Sequence, residues 1–273
     1  MCRMHPKDHE RIGKIFNPTN PNMLWSDYER MLGELDVSKL VERNIDTWTN
    51  IKNRHEFENP FDTLGTNLIS YFQEWVIQIR MSCANQKRLK LDNKAYFINF
   101  NYTPTLECLY NIPQKQICYI HGDTCKNECC APIVGHGNNN YEKNINDSIT
   151  KIKDRINELK NLPSFSYSKD DFTELIVNET RNLLTTLKKD TATQIKYNMD
   201  FFKSITSSDE IYVLGHSLAN VDFPYFEKIA KESPNAKWFI SYYNEKEKIK
   251  AQAEKISYLN PSQIEYIVLD DLK

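Results

Sequence analysis

Three short segments hold the residue types that could move a proton or grip a nucleotide. In Gly215-His216-Ser217-Leu218-Ala219, a serine and a histidine follow directly on the apolar run 210–214. The pattern matches a nucleophile elbow, G-x-S-x-G, with alanine in the last place. Hydrolases built on that elbow need their base histidine after the serine, and His216 is the last histidine in the chain. Residues 220–224 also separate the serine from the next helix. Serine hydrolase chemistry is excluded on residue order. The same segment can serve as a binding edge, because a strand ending in Gly-x-Ser turns backbone N–H groups and a hydroxyl toward a phosphate or a ribose. A plain strand-to-helix turn accounts for it equally well. Asp222 is expected to cap the helix beginning at Phe223.

Asn101 and His121 form the second set, each just past a short apolar run (95–100 and 116–120). Both can project from one edge of a sheet, where an asparagine holds a ribose hydroxyl or a water and a histidine accepts a proton near neutrality. The structural alternative is a turn asparagine and a satisfied buried ring. His136 is flanked by Gly135 and Gly137. That suggests either a backbone pressed close to a neighbour or an irregular surface turn. Cys125, Cys129 and Cys130 raise a metal hypothesis, but no second ligand pair follows the cluster, so free thiols are the preferred reading and no metal is expected. None of the seven glycines builds a G-x-G-x-x-G or a P-loop.

These residues depend on the elements around them. The runs at 95–100, 116–120, 210–214, 238–242 and 264–268 read as strands, and 223–232 and 245–256 as helices between the later ones. The βαβαβ rhythm predicts an α/β fold, a Rossmann-like parallel sheet with covering helices. Helices are also expected at 25–35 and 63–81, and loops at 1–24 and 123–147. Helical periodicity through 148–208, broken at Leu162-Pro163-Ser164, marks a helical insertion or subdomain within a single domain spanning 1–273. Leu175, Ile176, Leu183, Leu184 and Leu187 form one face of it.

Composition sets the outer limits. With 273 residues, 40% hydrophobic and 26% charged, the chain can bury a full core. A net charge of −2 gives no reason to expect nucleic acid or an anionic membrane as the main partner, and Lys87-Arg88-Leu89-Lys90 reads as a solvated connection. Seven scattered cysteines are poor material for a disulfide framework. No apolar stretch reaches the roughly 18 residues of a membrane span, and the N-terminus has no signal-peptide core. The cytoplasm is the expected location.

Taken in order, the motifs resemble those of bacteriophage abortive infection AbiH proteins. The segment 97–107, with Asn101-Tyr102-Thr103, resembles the family's Asn-Tyr-Thr block, and Ile120-His121-Gly122 its His-Gly. Gly135-His136-Gly137-Asn138 resembles its Gly-His-Gly-Asn. Gly215-His216-Ser217-Leu218 with Asp222, Tyr225 and Phe226 resembles its C-terminal block, which Ser241-Tyr242-Tyr243 closes, and Trp25-Ser26-Asp27-Tyr28-Glu29 its early Trp-x-Asp-x-Glu. AbiH proteins in turn look distantly similar to sirtuin-like NAD-binding domains. That resemblance implies Asn101 as the group positioning the nicotinamide ribose or a water, and His121 as general base. It also implies Gly215 and Ser217 on the cofactor's ribose or phosphate, and Asn244 toward the adenosine.

The implied function is phage defence, with cleavage of NAD at the nicotinamide–ribose bond as the implied chemistry. A non-catalytic sensor that binds a nucleotide, or a phage or host protein trigger, is the alternative, and self-association into a homo-oligomer stays open. Family chains begin with a strand and a segment of the Gly-Asn-Gly-Phe-Asp kind, and nothing of that kind precedes Trp25. On this reading the phosphate-binding half of the site is missing, which favours the sensor.

Overall fold

A computed structural model of the chain describes residues 88–122, 133–137, 141–159, 169–206 and 208–272, together with Leu32 and Ser38. The helices expected at 25–35 and 63–81, the loop at 1–24 and the Cys125/Cys129/Cys130 cluster lie outside the described residues. Leu32 is the exception: it is helical, as expected, and buried. Cα packing divides the chain into two compact units, Met1–Trp75 with Val134–Lys189, and Val76–Ile133 with Asp190–Lys273.

The second unit is mixed α/β. Strand β1 (Phe97–Asn99) leads through helix α1 (Thr105–Tyr110) into β2 (Ile117–Tyr119), and the two strands pair in parallel with Asn99 opposite Tyr119. Helix α1 ends on Asn111 in the left-handed region at φ 55°, a conformation asparagine tolerates at a helix C-terminus. Helices α4 (Thr191–Tyr197) and α5 (Met199–Ser204) follow, and Asp190 caps α4 by accepting from the Thr193 N–H at 3.0 Å. The remaining elements are β3 (Glu210–Val213), α6 (Phe223–Glu232), β4 (Lys237–Tyr242), α7 (Lys246–Ala253) and β5 (Ile264–Val268). Strands β3, β4 and β5 form a parallel sheet in that order. Pro224 stands in the first turn of α6, where its missing N–H costs nothing.

The five strands fall within a residue or two of the expected runs, and every pairing is parallel. Among the described residues the architecture is an α/β fold with two small parallel sheets, and no ladder joins the pair β1–β2 to the trio β3–β4–β5. One core serves both sheets. Cys118 and Ile120 from the β2 end, Val213 from β3, and Trp238 and Ile240 from β4 are buried against Tyr225, Phe226, Ile229 and Ala230 of α6. Phe202 of α5 and Ala253 of α7 belong to the same cluster. Alternation explains the pattern: Trp238 and Ile240 lie on one face of β4, while Phe239 between them is only half-buried.

The first unit, where described, is helical. Helix α2 (Tyr141–Leu159) buries Ile145, Ile149, Ile152 and Ile156, spaced three and four residues apart as a helical stripe requires. Helix α3 (Lys169–Thr186) packs on α2 and buries Phe172, Ile176, Val177, Thr180, Leu183 and Leu184. Leu175, expected on that face, is half-buried. The loop expected at 123–147 is corrected at its end. Helix α2 starts at Tyr141, because Ile145 already belongs to its apolar stripe.

Candidate functional site

The C-terminal ends of β1, β2 and β3 carry the residues singled out in the sequence. At the end of β1, the buried Asn99 builds the turn that presents Asn101. Its Oδ1 accepts from the Asn101 N–H at 2.9 Å, and its Nδ2 donates to the Thr103 carbonyl at 3.4 Å. Asn101 itself is exposed. His121 occupies the equivalent place two residues past β2, next to Gly122 at φ 77°. Parallel pairing therefore brings Asn101 and His121 to one edge. Their surroundings differ, since His121 is only 2% exposed.

Two histidines share one carboxylate. His121 Nε2 lies 3.2 Å from Asp222 Oδ1, and His216 Nε2 lies 3.3 Å from Asp222 Oδ2. Asp222 is at the N-terminus of α6, as expected, but its side chain makes no cap hydrogen bond there. The expected capping role is thus corrected: the carboxylate turns inward to the two rings, which tie the β2 end to the β3–α6 connection. Phe100 lies against the pair, with its ring centroid 5.5 Å from that of His121 and 4.5 Å from that of His216. The Tyr225 ring stands 5.5 Å from His121. The Tyr225 hydroxyl is buried with no hydrogen-bond partner among the described residues. Burial, and after it the charge of Asp222, pushes its pKa well above the ordinary tyrosine value.

The turn between β3 and α6 is held at both ends. Gly215 adopts φ 67° and donates its N–H to Ser241 Oγ of β4 at 2.8 Å. Leu218 adopts φ 50°, rare for a residue with a Cβ, and donates its N–H to His216 Nδ1 at 2.9 Å. His216 Nδ1 is therefore an acceptor, which places the ring proton on Nε2, facing Asp222. Ser217, at the tip, is exposed. The Gly215 N–H is thus engaged within the protein, while the Ser217 side chain stands on the exposed tip of the turn. Neither positive φ falls on Ser217, in keeping with the exclusion of a nucleophile elbow.

The family model for bacteriophage abortive infection AbiH matches residues 3–242. The chain belongs to the bacteriophage abortive infection AbiH family. Membership implies a role in abortive infection of phage-infected cells. No curated protein and no solved structure matches the chain.

Within this AbiH chain, Asn244 lies two residues past β4 and is exposed. His136 belongs to the other compact unit. Its backbone bridges to Lys188, donating to the Leu187 carbonyl and accepting from the Lys189 N–H, both at 2.9 Å. Gly135 beside it is pressed so close that an added Cβ would stand 2.6 Å from the Leu187 carbonyl oxygen. The close-approach reading of the flanking glycine is the one that holds there. Among the described residues, no group of three or more His, Cys, Asp or Glu could hold a metal ion, and no helix is long and apolar enough to cross a membrane.

Sequence reasoning missed Asp222 and Phe100 as site residues. His216 and Asp222 flank one short turn, so their pairing was visible in principle from their closeness in the chain. The contact between His121 and Asp222 spans 101 residues and left no local signal.

Proposed function

We propose that this chain acts in phage defence, in the cytoplasm, by receiving a nucleotide of the NAD type at the C-terminal edge of its parallel strands. One observation carries the reading: Asn101, Gly215, Ser217 and Asn244 each follow the C-terminal end of a parallel strand, and all four are exposed. In open α/β sheets of the Rossmann-like kind proposed for this chain, ligands bind outside the carboxyl ends of the strands. Asn101 and Ser217 supply an amide and a hydroxyl for ribose and phosphate oxygens, and Asn244 reaches toward the base.

A second reading is favoured by the hydrogen-bonded pair His121–Asp222. In it the site cleaves NAD at the nicotinamide–ribose bond. Water attacks the ribose carbon, nicotinamide leaves with the bonding electron pair, and His121 takes the proton from the water, giving ADP-ribose and nicotinamide. Asp222 then stabilises the imidazolium. This chemistry requires the His121 ring to be uncovered when substrate arrives, and its burial supports the binding reading first.

Calorimetric titration with NAD and with ADP-ribose, run beside an assay of nicotinamide release, tests both. Under the binding reading the wild type binds NAD, and Ser217→Ala weakens the affinity by about tenfold, the loss of one ligand hydrogen bond. A wild type that binds neither compound overturns the site. Nicotinamide release that both Asn101→Ala and His121→Ala abolish establishes cleavage, whereas binding without release makes the protein a sensor.

A further inference from the structure

We propose that Asp222 is a positioning residue: by accepting the Nε2–H of His121, it fixes the tautomer of that ring and places its basic lone pair on Nδ1. The inference deepens the reading of the strand-end site and rests on it for its functional meaning.

The argument starts at the Leu218 N–H. It donates to His216 Nδ1, so that nitrogen cannot carry a proton, and His216 must hold its proton on Nε2. That nitrogen stands 3.3 Å from Asp222 Oδ2. A carboxylate only accepts, so its other oxygen, 3.2 Å from His121 Nε2, calls for an N–H there as well. A neutral His121 ring with its proton on Nε2 has its lone pair on Nδ1. Asp222 and His121 are almost fully shielded from water, which makes the hydrogen bond between them costly to leave unmade. One side chain thus sets the proton geometry at His121, beside the turn that Leu218 and His216 hold together.

Replacement by asparagine gives a directional test. The Asn oxygen can accept from one ring only, and its NH₂ must face the other. His216 is held as an Nε2–H ring by Leu218, so His121 has to change, with its proton moving to Nδ1 and Nε2 becoming the acceptor. Long-range ¹⁵N–¹H correlation spectra of the full chain labelled at histidine, recorded at mildly alkaline pH, read this directly. Resonances are assigned with His121→Asn and His216→Asn.

The expected result is Nε2–H for both rings in the wild type, and a switch confined to His121 in Asp222→Asn. An Nδ1–H ring for either histidine in the wild type overturns the proposal. So does an unchanged His121 in a folded Asp222→Asn variant. If that variant fails to fold, the wild-type spectrum still decides. The measurement needs no ligand, so failure of NAD to bind would overturn the nucleotide reading and leave the tautomer result standing.

Discussion

Asp222 occupies a position where a single truncation removes the acceptor of a buried ring N–H. Asp222→Ala leaves the His121 Nε2–H facing a shielded space, and stability should fall by about 1–3 kcal/mol. Chemical denaturation of wild type and variant measures the loss. A drop no larger than that of an ordinary surface substitution would mean the bond to His121 does not form in solution. The cysteines make a second residue-scale contrast. Cys118 is buried, donates to Asn198 Oδ1 at 3.3 Å, and has its thiol pKa pushed up to about 12 by burial, while Cys108 is exposed. Because the thiolate is the reactive form, Cys108 should be alkylated by iodoacetamide in the native protein and Cys118 only on unfolding. Peptide-resolved mass spectrometry separates the two. At this scale the sequence was partly legible. It placed Asn101, His121 and the Gly215–Ser217 turn at strand ends, where the structure puts them. It could not distinguish the exposed Asn101 from the buried His121, because burial is set by Phe100, Tyr225 and Asp222 arriving from other parts of the chain.

Elements were easier to read than contacts because periodicity is local. The stripe Ile145, Ile149, Ile152, Ile156 of α2 and the alternation of Trp238, Phe239 and Ile240 in β4 each declare their element. The polar, Asn-rich start of α2 concealed that helix's first turns. How the two parallel sheets stand in the ladder pattern was not legible, since pairing partners lie many residues apart. Two glycines show how element geometry becomes stability. Gly135→Ala would drive a Cβ to 2.6 Å from a backbone oxygen that has no side-chain freedom with which to yield. The segment must shift, at a cost of about 1–3 kcal/mol. Gly215→Ala meets open space, its nearest neighbour being a Leu269 methyl at 4.0 Å, so only its φ of 67° opposes the change. That strain is worth roughly 1–2 kcal/mol. Thermal melts of the two variants should therefore put Gly135→Ala at or below Gly215→Ala, and the opposite order would contradict the close approach of Gly135 to Leu187.

For the molecule as a whole, stability depends on pH through groups whose proton affinity changes on folding. His136 is the clearest case. It is buried, and burial first, with the positive charge of Lys188 second, holds its pKa below the ordinary histidine value. The unfolded chain, in which the ring is solvated, binds a proton at a higher pH, near 6.5. Between the two pKa values the unfolded state therefore carries more protons than the folded state, and stability rises with pH. This contribution is fully present above about 6.5 and is lost as pH falls through the lowered folded value. Carboxylates that titrate below that range, such as Glu232, held down chiefly by its hydrogen bond from Lys228, add their own loss at more acidic pH. Urea denaturation of the full chain at a series of pH values from about 7.5 to about 5 should show midpoints declining toward acid. In His136→Asn the decline over this upper window should flatten, because asparagine does not titrate while the backbone bonds to Leu187 and Lys189 remain available. An equal decline in wild type and variant would place the acid sensitivity elsewhere. A wild type with no decline would mean that His136 is solvated in the folded protein, and the approach of Gly135 and His136 to Leu187 and Lys189 would have to be redrawn.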